Sequence, residues 1–460
     1  MSRHTSARAG AVSSQETAAS RCAHWISAAS VETLPCAVLD LVRDSIVDTL
    51  GVSLAGARHP ASEKILRVVE AVGGQEQAQV FGTGLRSSAV HAAMANAYTA
   101  HVLDFDDTHT QAIAHVSAPV LAAAWAAAQA SGAAGVDLLA AHAVGMEVCS
   151  RMARAMSGRD DHGWHLTGVA GTLGAAAAAS RAYRLCSADT ASALAIASTM
   201  TSGMRVHRGT GAKSMSPAHA ASSGVLAAVS AAAGISGNTA FFEHPRHGFL
   251  RTFGFDGDPA GITRGLGEDF SLLGIAAKPY PSGVTSHPAI ECALEVCASS
   301  AATVLPELVE KVTVRVNPLG LELTGNPAPQ SGLESKFSIV HAVSVALLDR
   351  RVTLDSFSDA SVARDDVRSM LQRIQVTSCE DLAKDEAAMR VDLASGEVLQ
   401  TRTRARGSST RPLTSHDIRQ KFLELHEDAA GTARSARILD GISALQEEPD
   451  LDVVSGLLAG

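Results

Sequence analysis

The chain has 460 residues, of which 46% are hydrophobic and only 4% aromatic, and its formal net charge is −9. This length predicts two or three domains, and the negative charge argues against a general nucleic-acid binder, which needs a basic surface. The seven cysteines include no CxxC pair, which excludes a disulfide framework and an ordinary zinc site and favours a reducing, cytoplasmic setting.

The first part of the sequence is dominated by helical patterns. Residues 1–19 are rich in Ser and Ala and are expected to form a flexible tail, without the apolar core of a signal peptide. Apolar residues then recur every three or four positions over residues 33–55, with Pro35 in the first turn. Ala-rich helical segments follow at 88–102, 117–132, 135–156, 167–183, 187–201 and 218–233. No run of 18 apolar residues occurs, so no membrane span is predicted.

The pattern changes after residue 268. Residues 311–316 alternate strictly, which is typical of a strand, and Ser395-Gly396 is a plausible hairpin turn between strands at 389–393 and 397–404. Helical patterns return at 418–425 and 435–445. The sequence therefore predicts a mainly α protein with a second α+β domain. Both chain ends, residues 20–268 and 406–460, form a large helical domain, and residues 269–405 form a smaller inserted α+β domain.

Chemistry-bearing side chains concentrate first in residues 101–109 (HVLDFDDTH) and at His115. Three carboxylates and three imidazoles lie within these fifteen residues. Asp104 stands at the end of a helical pattern and the rest is expected to be a loop, where catalytic groups are common. A solvated acidic turn is the ordinary alternative. A zinc or manganese site is another, but the histidine spacings of eight and six match no standard ligand pattern.

Three further segments contain candidate groups. His165 and Thr167 precede a helix N-terminus, whose free N–H groups suit an anion, although Thr167 could simply cap the helix. Lys213 follows a Gly-rich stretch and is expected in a loop, where a surface lysine is the ordinary explanation. In residues 278–287 (KPYPSGVTSH) two prolines hold Lys278 and Tyr280 at low entropic cost, unless the segment is only a rigid linker.

Together these residues suit the removal of a proton next to a carboxylate. Histidine is the usual general acid or base, and preplaced cations stabilise the negative charge that develops on the carboxylate oxygens. The sequence has no P-loop, HExxH motif or serine nucleophile elbow. A metallohydrolase and a non-catalytic binding protein remain the alternatives from other functional classes.

The same segments resemble the MmgE/PrpD family, which contains 2-methylcitrate dehydratase, cis-aconitate decarboxylase and an iminodisuccinate epimerase. The matching strings are residues 95–108 (ANAYTAHVLDFDDT), 163–176 (GWHLTGVAGTLGAA), 209–213 and 278–287, with weaker similarity at 334–348 and 412–425. The resemblance implies a large helical domain and a smaller α+β domain with the active site between them. It also implies a homodimer without a metal or organic cofactor.

The resemblance and the residue chemistry lead to one set of expected site residues. We expect His165 and His115 to be the acid and base, Lys213 and Lys278 to hold carboxylates, and Asp104 to orient a histidine or the substrate. Lys278 could instead act as the base if its pocket lowers its pKa. The expected substrate-binding residues are Thr108, Thr167, Tyr280, Ser282 and His287.

The expected function is that of a metal-independent, dehydratase-like lyase acting on a small polycarboxylate, such as a 2-methylcitrate-like acid. An epimerase or decarboxylase acting on a related dicarboxylate or tricarboxylate is the alternative. Four positions depart from the family pattern. Ser216 and Gly283 stand where relatives carry histidine, Leu321 stands at a tyrosine, and Ala218 stands where glycine is frequent. The loss of polar groups argues against cis-aconitate decarboxylation and favours a different or less charged acid.

Overall fold

The computed structural model describes residues 16–157, 163–299, 306–426 and 431–459. Residues 1–15 of the expected tail lie outside the described residues, as do residues 158–162 just before the segment of His165. Ala18 and Ala19, which the sequence placed in the tail, are buried in the first turn of a helix. None of the described helices is long and apolar enough to cross a membrane.

The first part of the chain is a stack of Ala-rich helices with short two-residue strands between them. The helices are α1 (Ala18–Ala28), α2 (Cys36–Ala57), α3 (Ser62–Val72), α4 (Ala89–Val102), α5 (Ser117–Ser131), α6 (Gly135–Met156), α7 (Leu166–Ala182), α8 (Ser187–Ser198), α9 (Gly211–Ala232), α10 (Phe249–Thr252) and α11 (Pro259–Thr263). The strands are β1 (Ala78–Gln79), β2 (Arg86–Ser87), β3 (Thr108–His109) and β4 (Ile275–Ala276).

Helix α7 lies at the centre of this stack, in contact with α5, α6, α8 and α9. Small residues allow the close approach of the helices. A Cβ on Gly224 of α9 would lie only 2.6 Å from the backbone nitrogen of Ala176 in α7, so glycine is required for this packing distance. The neighbouring helices α4 and α9 also pack together, which places the C-terminal end of α4 near the start of α9.

The second part of the chain is an α+β unit with its own core. Its elements are α12 (His287–Ser299), β5 (Val309–Val316), α13 (Pro318–Thr324), α14 (Gly332–Ser335), α15 (Ile339–Asp349), α16 (Asp359–Ala363), α17 (Asp365–Leu371), β6 (Ile374–Ser378), β7 (Glu386–Leu393) and β8 (Val398–Arg404). The strand order is β6-β5-β7-β8. Only the β5–β6 pair is parallel.

The predicted strand alternation and hairpin are both confirmed in this sheet. Val312, Val314 and Val316 are buried in the core that α12 and α15 share with the sheet. Gly396 has φ +84° in the turn between β7 and β8, where a residue without a Cβ is favoured.

The last part of the chain returns to the helical stack. Helices α18 (Ser415–Glu424) and α19 (Gly431–Ser443) pack against α2, and α20 (Asp452–Leu458) packs against α19. A capping box between Thr414 and Asp417 starts α18. The helical core therefore contains residues from both parts of the chain, and the predicted fold class is confirmed. The domain bounds at residues 268/269 and 405/406 stay a prediction.

Candidate active site

A cleft of about 500 Å³, partly open to solvent, lies where the helical stack meets the α+β unit. Strand pairing brings its two sides together, because Thr108 of β3 is opposite Ala276 of β4 in an antiparallel register. The cleft is lined by Asp104, Thr108, Ile113, His115, His165, Leu166, Arg205, Arg208, Lys213, Lys278, Gly283, Val284, Thr285, Leu323, Thr324 and Phe337. Six of the ten expected site residues are therefore in one cleft.

Asp104 connects the two lysines at the base of the cleft. Helix α4 ends at Val102, and Asp104 adopts a left-handed backbone conformation with φ +51°, which Asp tolerates better than most residues. Its Oδ1 is 2.7 Å from Nζ of Lys213, and its Oδ2 is 3.2 Å from Nζ of Lys278. Burial favours the neutral acid, but the two ammonium groups outweigh it and hold the pKa of Asp104 well below its ordinary value. Asp104 is therefore a carboxylate.

A second buried carboxylate, Asp106, orients two histidines. Its Oδ2 lies 2.8 Å from Nδ1 of His101 and 3.1 Å from Nδ1 of His115. Nε2 of His101 lies 2.6 Å from Nζ of Lys213. Because the ammonium can only donate, His101 accepts at Nε2 and donates from Nδ1 to Asp106, which fixes a neutral tautomer. Burial lowers the pKa of His101 to about 4. His101 and Asp106 belong to the acidic segment at residues 101–109 but were not among the expected site residues.

His115 lies between the two carboxylates. Its Nε2 is 3.5 Å from Oδ1 of Asp104. Burial lowers its pKa, although Asp106 opposes the shift, so the ring is neutral at neutral pH. The backbone N–H of His115 donates to Oγ1 of Thr167 at 3.0 Å. Thr167 lies inside α7 and does not line the cleft. Its side chain positions His115, instead of capping the helix or facing the substrate.

His165 is the N-cap residue of α7 and lines the cleft. Its Nδ1 has no hydrogen-bond partner among the described residues. Burial, reinforced by the charge of Lys213, lowers its pKa well below the ordinary value. His165 is therefore a neutral imidazole whose Nδ1 makes no hydrogen bond to any described residue.

The two lysines are held by different elements. Lys213 is in the first turn of α9, because that helix begins at Gly211. The prediction of a loop around Lys213 is wrong, since this Gly- and Ser-rich sequence forms the first turns of a long helix. Lys278 follows β4, and its Nζ donates to the backbone oxygens of Asp104 at 2.9 Å and Ser282 at 3.1 Å.

The other expected residues of the Lys278 segment do not line the cleft. The hydroxyl of Tyr280 donates to Oε1 of Glu291 at 2.9 Å, and Oγ of Ser282 lies 3.0 Å from Oγ of Ser286. His287 is fully buried at the start of α12, and burial lowers its pKa to about 3. The structure therefore does not bring Tyr280, Ser282 and His287 to the substrate, because internal hydrogen bonds use their polar groups to shape the loop.

Two buried lysines outside the cleft support the loops that carry the site. Nζ of Lys421 in α18 donates to the backbone oxygen of Phe105 at 2.7 Å and pairs with Oδ1 of Asp48 at 2.7 Å. Nζ of Lys336 donates to the backbone oxygen of Pro281 at 2.9 Å. Nothing in the local sequence around either lysine indicates this role, which depends on contacts between distant segments.

The metal interpretation can be tested against the same geometry. His101, Asp104, Asp106 and His115 present ligand atoms within 4.8 Å of one another. However, the ammonium of Lys213 contacts both His101 and Asp104, and Lys278 contacts the other oxygen of Asp104. A divalent cation would have to compete with two positive charges that already lie against His101 and Asp104. The arrangement fits a charge-compensated acid–base site better than a metal centre.

The residues that depart from the family pattern lie in or beside the cleft. Gly283 is in its wall, and a Cβ there would be 2.5 Å from Cγ2 of Thr324, so a larger residue would require movement. Leu321 lines an adjoining outer pocket. Ser216 and Ala218 are buried in α9. The wall therefore has no proton-bearing side chain at Gly283.

Comparison with known proteins gives consistent matches. Residues 20–261 match the sequence model of the MmgE/PrpD N-terminal domain, and residues 280–447 match that of the MmgE/PrpD C-terminal domain. The chain is 25% identical to the cis-aconitate decarboxylase-like protein oryM of Aspergillus oryzae, over 95% of this chain and 96% of that protein. It is 25% identical to the cis-aconitate decarboxylase of Aspergillus terreus (95% and 94% covered) and 26% identical to that of Homo sapiens (92% and 90% covered).

Proposed function

We propose a function on the premise that the chain belongs to the MmgE/PrpD family, whose domain models match residues 20–261 and 280–447. The protein is a lyase that acts on a small tricarboxylate in the cleft between the helical stack and the α+β unit. One observation carries the proposal: a neutral imidazole, His165, shares the cleft with the buried ammonium groups of Lys213 and Lys278.

His165 removes a proton from a carbon next to a carboxylate. Its pKa lies well below the ordinary value, so at neutral pH the ring is ready to accept a proton. The electron pair of the broken C–H bond moves towards the adjacent carboxylate and increases its negative charge. Lys213 and Lys278 are placed to stabilise that charge before it develops, which lowers the barrier most effectively in a water-poor site.

His115 then completes a dehydration. The electron pair forms the C=C bond and the C–O bond to the hydroxyl group breaks. The leaving oxygen takes a proton from the protonated form of His115, which returns to the neutral ring as water departs. The nearby carboxylates of Asp104 and Asp106 favour that protonated form. Asp106 stabilises the orientation of His115 through the 3.1 Å contact at Nδ1. Thr108 lines the same cleft and is proposed to donate a hydrogen bond to the substrate. The hydro-lyase reaction on a 2-methylcitrate-like acid is the first candidate.

Decarboxylation is the second candidate, because three similar proteins are named as cis-aconitate decarboxylases or decarboxylase-like. In that reaction the C–C bond to a carboxylate breaks, CO₂ leaves, and the carbanion takes a proton from a histidine. The first candidate is favoured by Gly283, which offers no side chain in the wall, and by the apolar Leu321. Both stand where the family resemblance places proton-bearing residues of decarboxylases.

We also propose that the protein is a homodimer, in which a second copy of the chain binds to the outward face of α9. Met215, Leu226 and Val229 are exposed on that helix, and their spacing puts them on one side. His219 and Ser222 lie between them, so the face has no Asp, Glu, Lys or Arg along its length. Light scattering should give the mass of two chains, and Val229→Asp should give one. A monomeric wild type would contradict the proposal.

The test of function is proton NMR in D₂O with the EDTA-treated enzyme and a panel of citrate, 2-methylcitrate and cis-aconitate. A new alkene signal from a hydroxylated acid identifies a hydro-lyase, and release of CO₂ from cis-aconitate identifies a carboxy-lyase. Exchange of deuterium without an alkene indicates an epimerase and would overturn the lyase proposal. The absence of all three changes with every acid would overturn the tricarboxylate assignment.

A further inference from the structure

Two arginines form one wall of the cleft and belong to the same tight turn. Residues Arg205–His207 form a 3₁₀ helix, and Arg208 follows as its C-terminal residue. The backbone N–H of Arg208 donates to the backbone oxygen of Arg205 at 3.1 Å, which holds the two residues at the ends of one turn. Both line the inner cleft and also the adjoining outer pocket. The turn thus places two guanidinium groups where the cleft opens.

The two arginines differ in what they contact. Nη1 of Arg205 lies 3.6 Å from Oε1 of Glu322. For Arg208, the described residues provide no side-chain hydrogen bond or ion pair, although the residue is partly buried. Burial, with the charge of Arg205 as the next cause, lowers the pKa of Arg208 to about 10, so the group stays charged at neutral pH. The carboxylates of Glu322 and Asp104 favour the charged form of Arg208, but neither forms an ion pair with it among the described residues. Its N–H donors are therefore open to an anionic ligand, which would lower the cost of the partly buried charge.

The other cations of the cleft are already engaged. Lys213 and Lys278 share the carboxylate of Asp104, and both are proposed to act at the reacting end of the substrate. Arg208 therefore adds a positive charge on the cleft wall, within a chain whose formal net charge is −9. A planar guanidinium matches the two oxygens of a carboxylate and can donate two parallel hydrogen bonds.

We infer that Arg208 binds a carboxylate remote from the reacting carbons and thereby selects a tricarboxylate over a dicarboxylate. This inference rests on the proposed function. Selection arises because a ligand without that carboxylate leaves the guanidinium unpaired after water is displaced. A site built around such a polar contact rejects a ligand that lacks it more strongly than an apolar pocket rejects a ligand that lacks one methylene group.

The test compares two unreactive probes by isothermal titration calorimetry. Tricarballylate carries three carboxylates, and 2-methylsuccinate is the same skeleton without one terminal carboxylate. For the wild type we expect tricarballylate to bind about 100-fold more tightly, in line with a charge-assisted bidentate contact. Arg208→Gln should reduce this ratio to about 10-fold or less by weakening tricarballylate binding alone. Arg208→Lys, which keeps the charge but loses the planar fork, should give an intermediate ratio.

The controls separate failure of this inference from failure of the proposed function. Arg67→Gln, on an exposed face of α3, should leave the wild-type ratio unchanged. If Arg208→Gln weakens both probes equally, or neither, the inference is overturned while the tricarboxylate function stands. If the wild type binds neither probe, both are overturned. Should Arg208→Gln not fold, the ratio for Arg208→Lys decides, and an unchanged ratio overturns the inference.

Discussion

The ammonium of Lys278 binds Asp104 at two points, the backbone oxygen at 2.9 Å and the carboxylate Oδ2 at 3.2 Å. Asp104 follows α4 of the helical stack, and Lys278 precedes α12 of the α+β unit. The contact therefore connects the two sides of the cleft directly beneath the place proposed for the reacting carboxylate. One side chain both joins the cleft walls and supplies positive charge.

Lys278→Met should lower kcat/KM by about 10²–10³-fold, the effect of removing one preorganised electrostatic contact in other enzymes. Asp104 would retain Lys213 as a partner, so we expect the fold to persist. Steady-state kinetics with the acid identified by NMR measures the effect, and circular dichroism checks the fold. Lys311→Met, at an exposed position on β5, is the matched control. A folded Lys278→Met variant with near-wild-type kcat/KM would contradict the assignment.

The two histidines should be separable by isotope exchange. His165→Gln should abolish both deuterium incorporation next to the carboxylate and product formation, because it removes the proposed base. His115→Gln should slow product formation by about 10²–10⁴-fold while exchange continues. His24→Gln, at an exposed residue of α1, should match the wild type. The opposite pattern, with exchange lost only in His115→Gln, would reverse the two roles.

Lys336 is expected to position the loop that carries Lys278. Its Nζ donates to the backbone oxygen of Pro281 at 2.9 Å, and its own backbone oxygen accepts from the N–H of Gly283 at 2.8 Å. Lys336→Met should lower kcat/KM by about 10-fold or more, because small displacements of a catalytic group are costly. Lys336→Gln keeps an N–H donor and should retain more activity. Equal losses in both variants would indicate that the charge, and not the hydrogen bond, matters.

The pH dependence of stability should show the burial of His142. This residue of α6 is fully buried, and burial lowers its pKa from 6.5 to about 3. Below pH 6.5 the unfolded chain binds a proton at this histidine and the folded protein does not. The stability that is present above pH 6.5 is therefore lost as pH falls. Between pH 7.5 and pH 5 the loss from this group is about 2 kcal/mol.

Urea unfolding of the wild type and His142→Gln at the two pH values isolates that contribution. The variant should lose about 2 kcal/mol less than the wild type on acidification, and His24→Gln should lose as much as the wild type. Equal losses in the wild type and His142→Gln would show that the histidine is not buried in the neutral form.

Removal of divalent metal ions should leave activity unchanged. The ligand atoms of His101 and Asp104 are bonded to the ammonium of Lys213, so the site is balanced by its own charges. Dialysis against EDTA followed by kinetics in metal-free buffer tests this expectation. Lost activity that returns with zinc or manganese would instead support the metallohydrolase alternative.

The sequence predicted those features that depend on local pattern. The pattern at residues 135–156 matches α6, and the alternation at 311–316 lies within β5. Asp104, His115, His165, Lys213 and Lys278 were selected from four segments and all line one cleft. Short polar segments between Ala-rich helices are conspicuous, so the candidate site could be found without knowledge of the fold.

Features that depend on tertiary contacts could not be predicted. Tyr280 and His287 belong to a distinctive motif. However, the hydroxyl of Tyr280 is hydrogen-bonded to Glu291, and Nε2 of His287 is hydrogen-bonded to the backbone of the loop. Arg208 lies just before the segment at residues 209–213 and was not among the expected site residues. Its place in the cleft wall becomes visible only in the folded protein. Phe337 lines the cleft because the segment between α14 and α15 packs there, which no spacing in the sequence indicates.

The support that α18 gives to Phe105 has a consequence for the order in which the enzyme is completed during synthesis. Lys421 reaches a backbone oxygen 316 positions earlier in the chain and neutralises the buried Asp48. The candidate site residues are therefore all synthesised before the lysine that supports their acidic loop. Until α18 emerges, Asp48 lacks the ion pair with Lys421, so the acidic loop gains this support only after the last helices of the chain have been made.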